Sequence, residues 1–96
     1  MIIQHKLIEP GDEVVRNPDS WCWSNQDGGQ GGRGVVQSKA LWGHRTVSPN
    51  SNSFDSVEVQ WFHHGCTNVY RWGYDGKYDV MVVKHSINSE LTKNTE

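Results

Sequence analysis

Gly28, Gly29, Gly31 and Gly32 put four glycines within five positions, and no chain crosses such a stretch as regular helix or strand. Glycine loses the most backbone entropy on ordering and offers no side chain to pack, so Gln26-Asp27-Gly28-Gly29-Gln30-Gly31-Gly32 must be a loop. No segment on either side of it repeats its apolar residues at helical spacing over three turns. The flanks carry alternation instead. In Ser56-Val57-Glu58-Val59-Gln60-Trp61, Val57, Val59 and Trp61 fall on one face and Glu58 and Gln60 on the other, the pattern of a half-buried strand.

Four further segments read as short strands. Glu13-Val14-Val15-Arg16 follows the Pro10-Gly11-Asp12 turn, and Arg33-Gly34-Val35-Val36-Gln37-Ser38 follows the glycine loop. Thr67 to Trp72 returns from Trp61 through His63-His64-Gly65, where Gly65 supplies a positive φ. Tyr78-Asp79-Val80-Met81-Val82-Val83 follows a turn at Tyr74-Asp75-Gly76-Lys77. The stretch from Gly43 to Asp55 is expected to be a long exposed loop, whose length costs little because closure entropy grows logarithmically. About five short strands and no helix predict an all-β barrel or sandwich that curls to protect its edges. A chain of 96 residues has room for one domain. Composition places it at residues 10–85, between an N-terminal flank (1–9) and a polar C-terminal tail (86–96), both expected to be flexible.

Composition excludes several classes of function. Nine basic and eleven acidic residues, without a run of either sign, give no grip on a phosphate backbone, so nucleic acid is not an expected partner. Cys22 and Cys66 are too few for a disulfide framework and are expected as reduced thiols. The N-terminal residues lack a signal-peptide core and no window is apolar enough to insert in a membrane, so a cytoplasmic or nuclear setting is expected. His63, His64 and Cys66 do not make a metal site, since adjacent histidines point to opposite sides of a strand and a tetrahedral site needs four convergent ligands. The glycine loop lacks the Lys-Ser/Thr of a phosphate-binding loop. No nucleophile has a base at usable spacing, so the chain is expected to need no cofactor and not to be an enzyme by itself.

Taken together, Gly11-Asp12-Glu13-Val14-Val15-Arg16, Pro18-Asp19, Trp21-Cys22-Trp23, Gln26-Asp27-Gly28-Gly29, Gly34, Val57 to Trp61, Tyr70-Arg71, Gly73 and Gly76-Lys77-Tyr78-Asp79-Val80 resemble the Mib/Herc2 domain. The resemblance implies a small SH3-like β-barrel of the kind found in large ubiquitin ligases, including Mind bomb, HERC2-like and HECT-type ligases. There it serves substrate recognition, and in Mind bomb proteins paired copies engage receptor-ligand tails. Three positions depart from the family pattern. Asn17 stands where a glycine is usual, Asp19-Ser20-Trp21-Cys22-Trp23 carries one residue more than D-W-x-W, and Phe62 replaces an aspartate. Asn17 is expected to tolerate a left-handed conformation better than most residues.

The expected partner is a protein or peptide segment, a ligase substrate or receptor tail. Trp21, Trp23, Gln26, Asp27, Arg71, Trp72 and Tyr78 are candidates for contacting it, because SH3-like grooves bind extended segments on aromatic walls. Arg16, Asp19, Gly28, Gly29, Gly34, Trp61, Tyr70, Gly73, Gly76 and Asp79 are candidates for structural roles. The division stays open at several points. Trp21, Trp23 and Trp72 read equally as core, Asp27 as an acceptor for turn N–H groups, and Arg71–Asp79 and Arg16–Asp27 as ion pairs. Two other functions fit the composition. Trp72, Tyr74, Tyr78 and Asp79 would make an aromatic cage for methylated lysine if Tyr74 turned inward, and a spacer domain would bury all its aromatics.

Overall fold

A computed structural model describes residues 8–43 and 46–86. Among these residues six antiparallel strands form a single sheet: β1 (Glu13–Arg16), β2 (Gly34–Ala40), β3 (Thr46–Val47), β4 (Ser56–Trp61), β5 (Thr67–Arg71) and β6 (Val80–Lys84). The hydrogen-bonded order is β5-β4-β2-β1-β6, with β3 paired to the end of β2. The protein is thus all-β, as expected. The alternation in β4 is realised residue by residue: Val57, Val59 and Trp61 are fully buried, while Glu58 and Gln60 are half-exposed. Gly65 takes φ 75° in the turn to β5, and Trp61 N–H bonds the Cys66 carbonyl to start the hairpin.

Between the two outermost strands, β5 and β6, the connecting segment is bonded across itself and to the end of β5. Trp72 bridges Tyr78, Asp79 N–H donates to the Arg71 carbonyl at 3.0 Å, and Asn17 N–H donates to the Asp79 carbonyl at 2.8 Å. These bonds curl the sheet around a core of Ile8, Val14, Val36, Val57, Val59, Trp61, Tyr70, Trp72 and Val80. Gly34 sits where β2 passes closest to β4. A Cβ there would lie 2.6 Å from Val59 and 2.7 Å from the Trp61 ring, so the absence of a side chain lets the strand pass this close to both.

The structure differs from the sequence expectation in several places; β2 runs from Gly34 to Ala40 rather than from Arg33 to Ser38, and β5 ends at Arg71 rather than Trp72. The segment expected as one exposed loop holds β3 and is tied to the core side, with Lys39 Nζ donating to the Pro49 carbonyl and lying 4.7 Å from the Phe54 ring. A two-residue strand has no alternation to read. The last strand begins at Val80, because Tyr78 and Asp79 are used to join the sheet ends. Asn17 does not adopt a positive φ; its side chain donates to the Tyr78 carbonyl and accepts from Asp19 N–H, so its role is hydrogen bonding rather than conformational tolerance. The expected flexible flanks lie largely outside the described residues. Within them, Ile8 packs in the core and Ser86 N–H donates to the buried Asp12 carboxylate.

Candidate functional site

The chain leaves β1 through a turn in which Ser20 and Trp21 N–H groups both donate to the Asn17 carbonyl. That turn lays Trp21 and Trp23 against Tyr70. Trp21 stacks on Tyr70 (centroids 5.2 Å, planes 28° apart) and meets Trp61 nearly at right angles, centroids 5.9 Å apart. Trp23 meets Tyr70 edge-on at 6.3 Å. Both tryptophans stay half-exposed, whereas Trp61 and Tyr70 beneath them are fully buried. The buried rings are locked polar end to polar end: Trp61 Nε1 donates to the Tyr70 hydroxyl at 2.9 Å, which donates in turn to Gln26 Oε1 at 2.8 Å. Burial pushes the Tyr70 hydroxyl above the ordinary phenol value, so it stays a donor.

Two arginine–aspartate pairs flank the tryptophans. Arg16 reaches both oxygens of Asp27, through Nε and Nη2, at 2.7 Å each. Arg71 reaches both oxygens of Asp79, through Nε and Nη2, at 2.8 Å each. The two carboxylates have no exposed surface. Each guanidinium also faces a ring, Arg16 over Trp21 at 5.2 Å and Arg71 over Trp23 at 5.4 Å. The indoles close the arrangement, Trp21 Nε1 donating to the Ser24 carbonyl and Trp23 Nε1 to Asp79 Oδ2. Bidentate charge-assisted pairs of this kind fix geometry as well as contributing energy. The aromatic pair is therefore held rigid from both sides.

The glycine loop carries Asp27 to Arg16, and Gly29 N–H donates back to the same carboxylate. Burial alone would raise the Asp27 carboxyl, but the Arg16 hydrogen bonds, the Gly29 N–H and the guanidinium charge outweigh burial and hold it below the ordinary carboxylate value. Gly28 (φ 88°) passes so close to His63 that a Cβ would lie 2.7 Å from that side chain. The same hairpin turn supplies His64, whose Nε2 lies 2.7 Å from the Gln26 carbonyl while its Nδ1 accepts from Cys66 N–H. A folded pKa below the unfolded one stabilises the protein above the unfolded value, about 3.9, and that contribution disappears as pH falls through the folded value. Acid titration of stability is therefore expected to show a loss beginning below about pH 4, and Asp27→Asn is expected to flatten it. Urea midpoints measured down the acid limb test this; an Asp27→Asn profile parallel to that of the unaltered chain would refute it.

Among the residues proposed to contact a partner, Trp21, Trp23, Gln26, Asp27 and Arg71 are gathered around Tyr70, but Asp27 is enclosed and Arg71 is committed to Asp79. Trp72 and Tyr78 form a pair of their own at the β5–β6 join, edge to face at 5.3 Å, with Trp72 in the core. Asp79 accepts from Arg71 and Trp23, and Tyr74 stacks outward on Trp42 at 5.5 Å, so these residues do not converge as a cage. Of the residues assigned structural roles, Arg16, Trp61, Tyr70 and Asp79 hold the site as described. Gly73 and Gly76 take φ 106° and 71° around the 3-10 turn Tyr74–Gly76, and Asp19 is exposed beside Asn17.

Sequence reasoning passed over Trp42, which lies 5.8 Å from Trp23 and extends the aromatic surface to Tyr74. An isolated tryptophan at the start of a polar segment was the available signal. It also passed over an open groove of about 460 Å³ beside Trp21, lined by Val15, Arg16, Pro18, Gln30, Gly31 and Met81. The described residues contain no cluster of three or more metal-ligating side chains, and none of their helices is long and apolar enough to cross a membrane.

Comparison with known proteins gives a consistent picture. The chain is 38% identical over 87 residues to the E3 ubiquitin-protein ligase mind-bomb of Drosophila melanogaster, covering 91% of this chain and 6% of that protein. It is 43% identical over 70 residues to the E3 ubiquitin-protein ligase MIB2 of Gallus gallus (73% of this chain, 6% of the relative). It is 32% identical over 84 residues to the E3 ubiquitin-protein ligase HERC2 of Mus musculus (88% and 2%). The chain thus spans a small fraction of each relative's length. The Mib_herc2 family model matches residues 11–84, which contain all six strands, the glycine loop and both arginine–aspartate pairs, and the chain belongs to that family.

Proposed function

We propose that the chain is a substrate-recognition module of a ubiquitin ligase, in a cytoplasmic or nuclear setting, that binds a linear peptide segment on its Trp21–Trp23 face. The curl of the sheet is read as an SH3-like barrel, an architecture whose aromatic walls suit extended peptides. One observation carries the reading: two half-exposed tryptophans are held by a buried pair of rings and by two bidentate ion pairs, beside an open groove. A surface immobilised before its ligand arrives loses little further entropy on binding. Ligase chemistry would then reside elsewhere in a longer parent.

Peptide arrays of cytoplasmic tail segments, probed with the chain, are expected to retain extended sequences. A retained peptide is expected to shift the indole N–H resonances of Trp21 and Trp23. Retention that leaves both signals unmoved, or no retention at all, would overturn the reading.

A further inference from the structure

Val80-Met81-Val82-Val83 is apolar at every position, a composition typical of strands covered on both faces. Its inward residues behave accordingly: Val80 is fully buried and Val82 packs on the core. Alternation sends Met81 and Val83 to the outer face, where Val83 is 45% exposed. Yet β6 ends the sheet and pairs with β1 only. The β1 residue opposite Met81 is Val15, so two apolar side chains meet on the outer face, and both line the groove with Pro18 and Trp21.

The rest of the lining is polar but carries no net charge. Among the described residues Arg16 is the one charged group lining the groove, and it is already neutralised by Asp27. Its Nε and Nη2 are engaged, while Nη1 has no partner among the described residues. Gln30, on the exposed glycine loop, adds a side-chain amide. An acidic segment would gain little there, because the guanidinium charge is cancelled by a buried carboxylate while the incoming one would be desolvated against Trp21. A methylated lysine would find one aromatic ring, and Arg16 already holds the cation position on it.

We propose that this groove docks an uncharged extended segment of another protein, with an aliphatic or proline side chain on Val15, Pro18, Trp21 and Met81 and backbone carbonyls facing Arg16 Nη1 and the Gln30 amide. The proposal rests on the recognition reading above and names the ligand chemistry of one end of the same face. A volume of about 460 Å³ lies in the range that such pockets use, and suits a few residues rather than a whole element.

The test uses the full chain, isotope-labelled, titrated with three peptides of one length: a neutral aliphatic and proline-bearing one, an acidic one, and one carrying trimethyl-lysine. The neutral peptide is expected to move the Met81 methyl and Trp21 indole signals, with affinity changing less than about twofold between low and high salt. Met81→Glu, which alters the outer face of an end strand, is expected to weaken it about tenfold or more. Gln30→Glu, on the exposed loop, replaces the amide donor by an acceptor-only carboxylate and is expected to weaken binding without touching a strand. Preference for the acidic or methylated peptide, or shifts confined to another surface, would overturn the proposal while leaving peptide recognition standing. Silence of every signal with every peptide would overturn both. A concentration-dependent dimer that shifts Met81, or a Met81 signal that moves when residues 87–96 are removed, would assign the groove to a second copy or to the chain's own tail, and would likewise overturn it.

Discussion

Arg71→Ala is expected to cost about 3–5 kcal/mol, because it removes both guanidinium hydrogen bonds from a carboxylate with no exposed surface. A small domain has only about 5–15 kcal/mol in hand, so much of the variant population is expected to unfold at modest denaturant. The loss should exceed the sum of two neutral hydrogen bonds, since what remains at Asp79 is a buried charge facing only the Arg71 backbone N–H and the Trp23 indole. Replacing both partners at once, Arg71→Met with Asp79→Leu, is expected to recover much of the deficit. Urea unfolding of the two singles and the double closes the cycle. A single variant within about 1 kcal/mol of the unaltered chain would show that the pair behaves as an exposed one. The consequence for binding studies is direct: lost peptide capture by Arg71→Ala would report unfolding.

Trp61→Ala is the second large effect, expected at about 3–5 kcal/mol for truncating a fully buried indole. Trp61 also supports the site from below, through its edge contact with Trp21 and its N–H bond to the Tyr70 hydroxyl. Its removal is therefore expected to loosen Trp21 as well as the core, collapsing the near-ultraviolet circular dichroism at temperatures where strand signal persists. Trp61→Phe keeps the ring volume in part and is expected to cost less, with Tyr70 then lacking the indole donor. Near-ultraviolet ellipticity unchanged in the alanine variant would show that Trp21 is held by Arg16 and Tyr70 alone.

The parts of the fold that were legible are those written in neighbouring residues. The limits of β4 and of β1 follow from alternation and from flanking turn residues, and the hairpin at Gly65 follows from the need for a positive φ. β3 was not legible, because two residues hold no period. The two ion pairs were readable as options, since both arginines and both aspartates stand in motif positions, but neither partner choice is encoded locally. The groove was half-legible: four consecutive apolar residues announce a strand covered on both faces, and say nothing about what covers the second one.

By itself the sequence determined the all-β class, the loop at residues 26–32, the inward face of β4 and the family to which the chain belongs. Each is a property of residue order over short range. Only the tertiary structure decided which tryptophans support and which are presented, because that depends on side chains meeting across long separations. Trp23 meets Asp79 across 56 positions and Tyr70 meets Gln26 across 44. Alternation tells each strand which face is apolar, but strand register tells each side chain its neighbour, and register is set by the sheet as a whole.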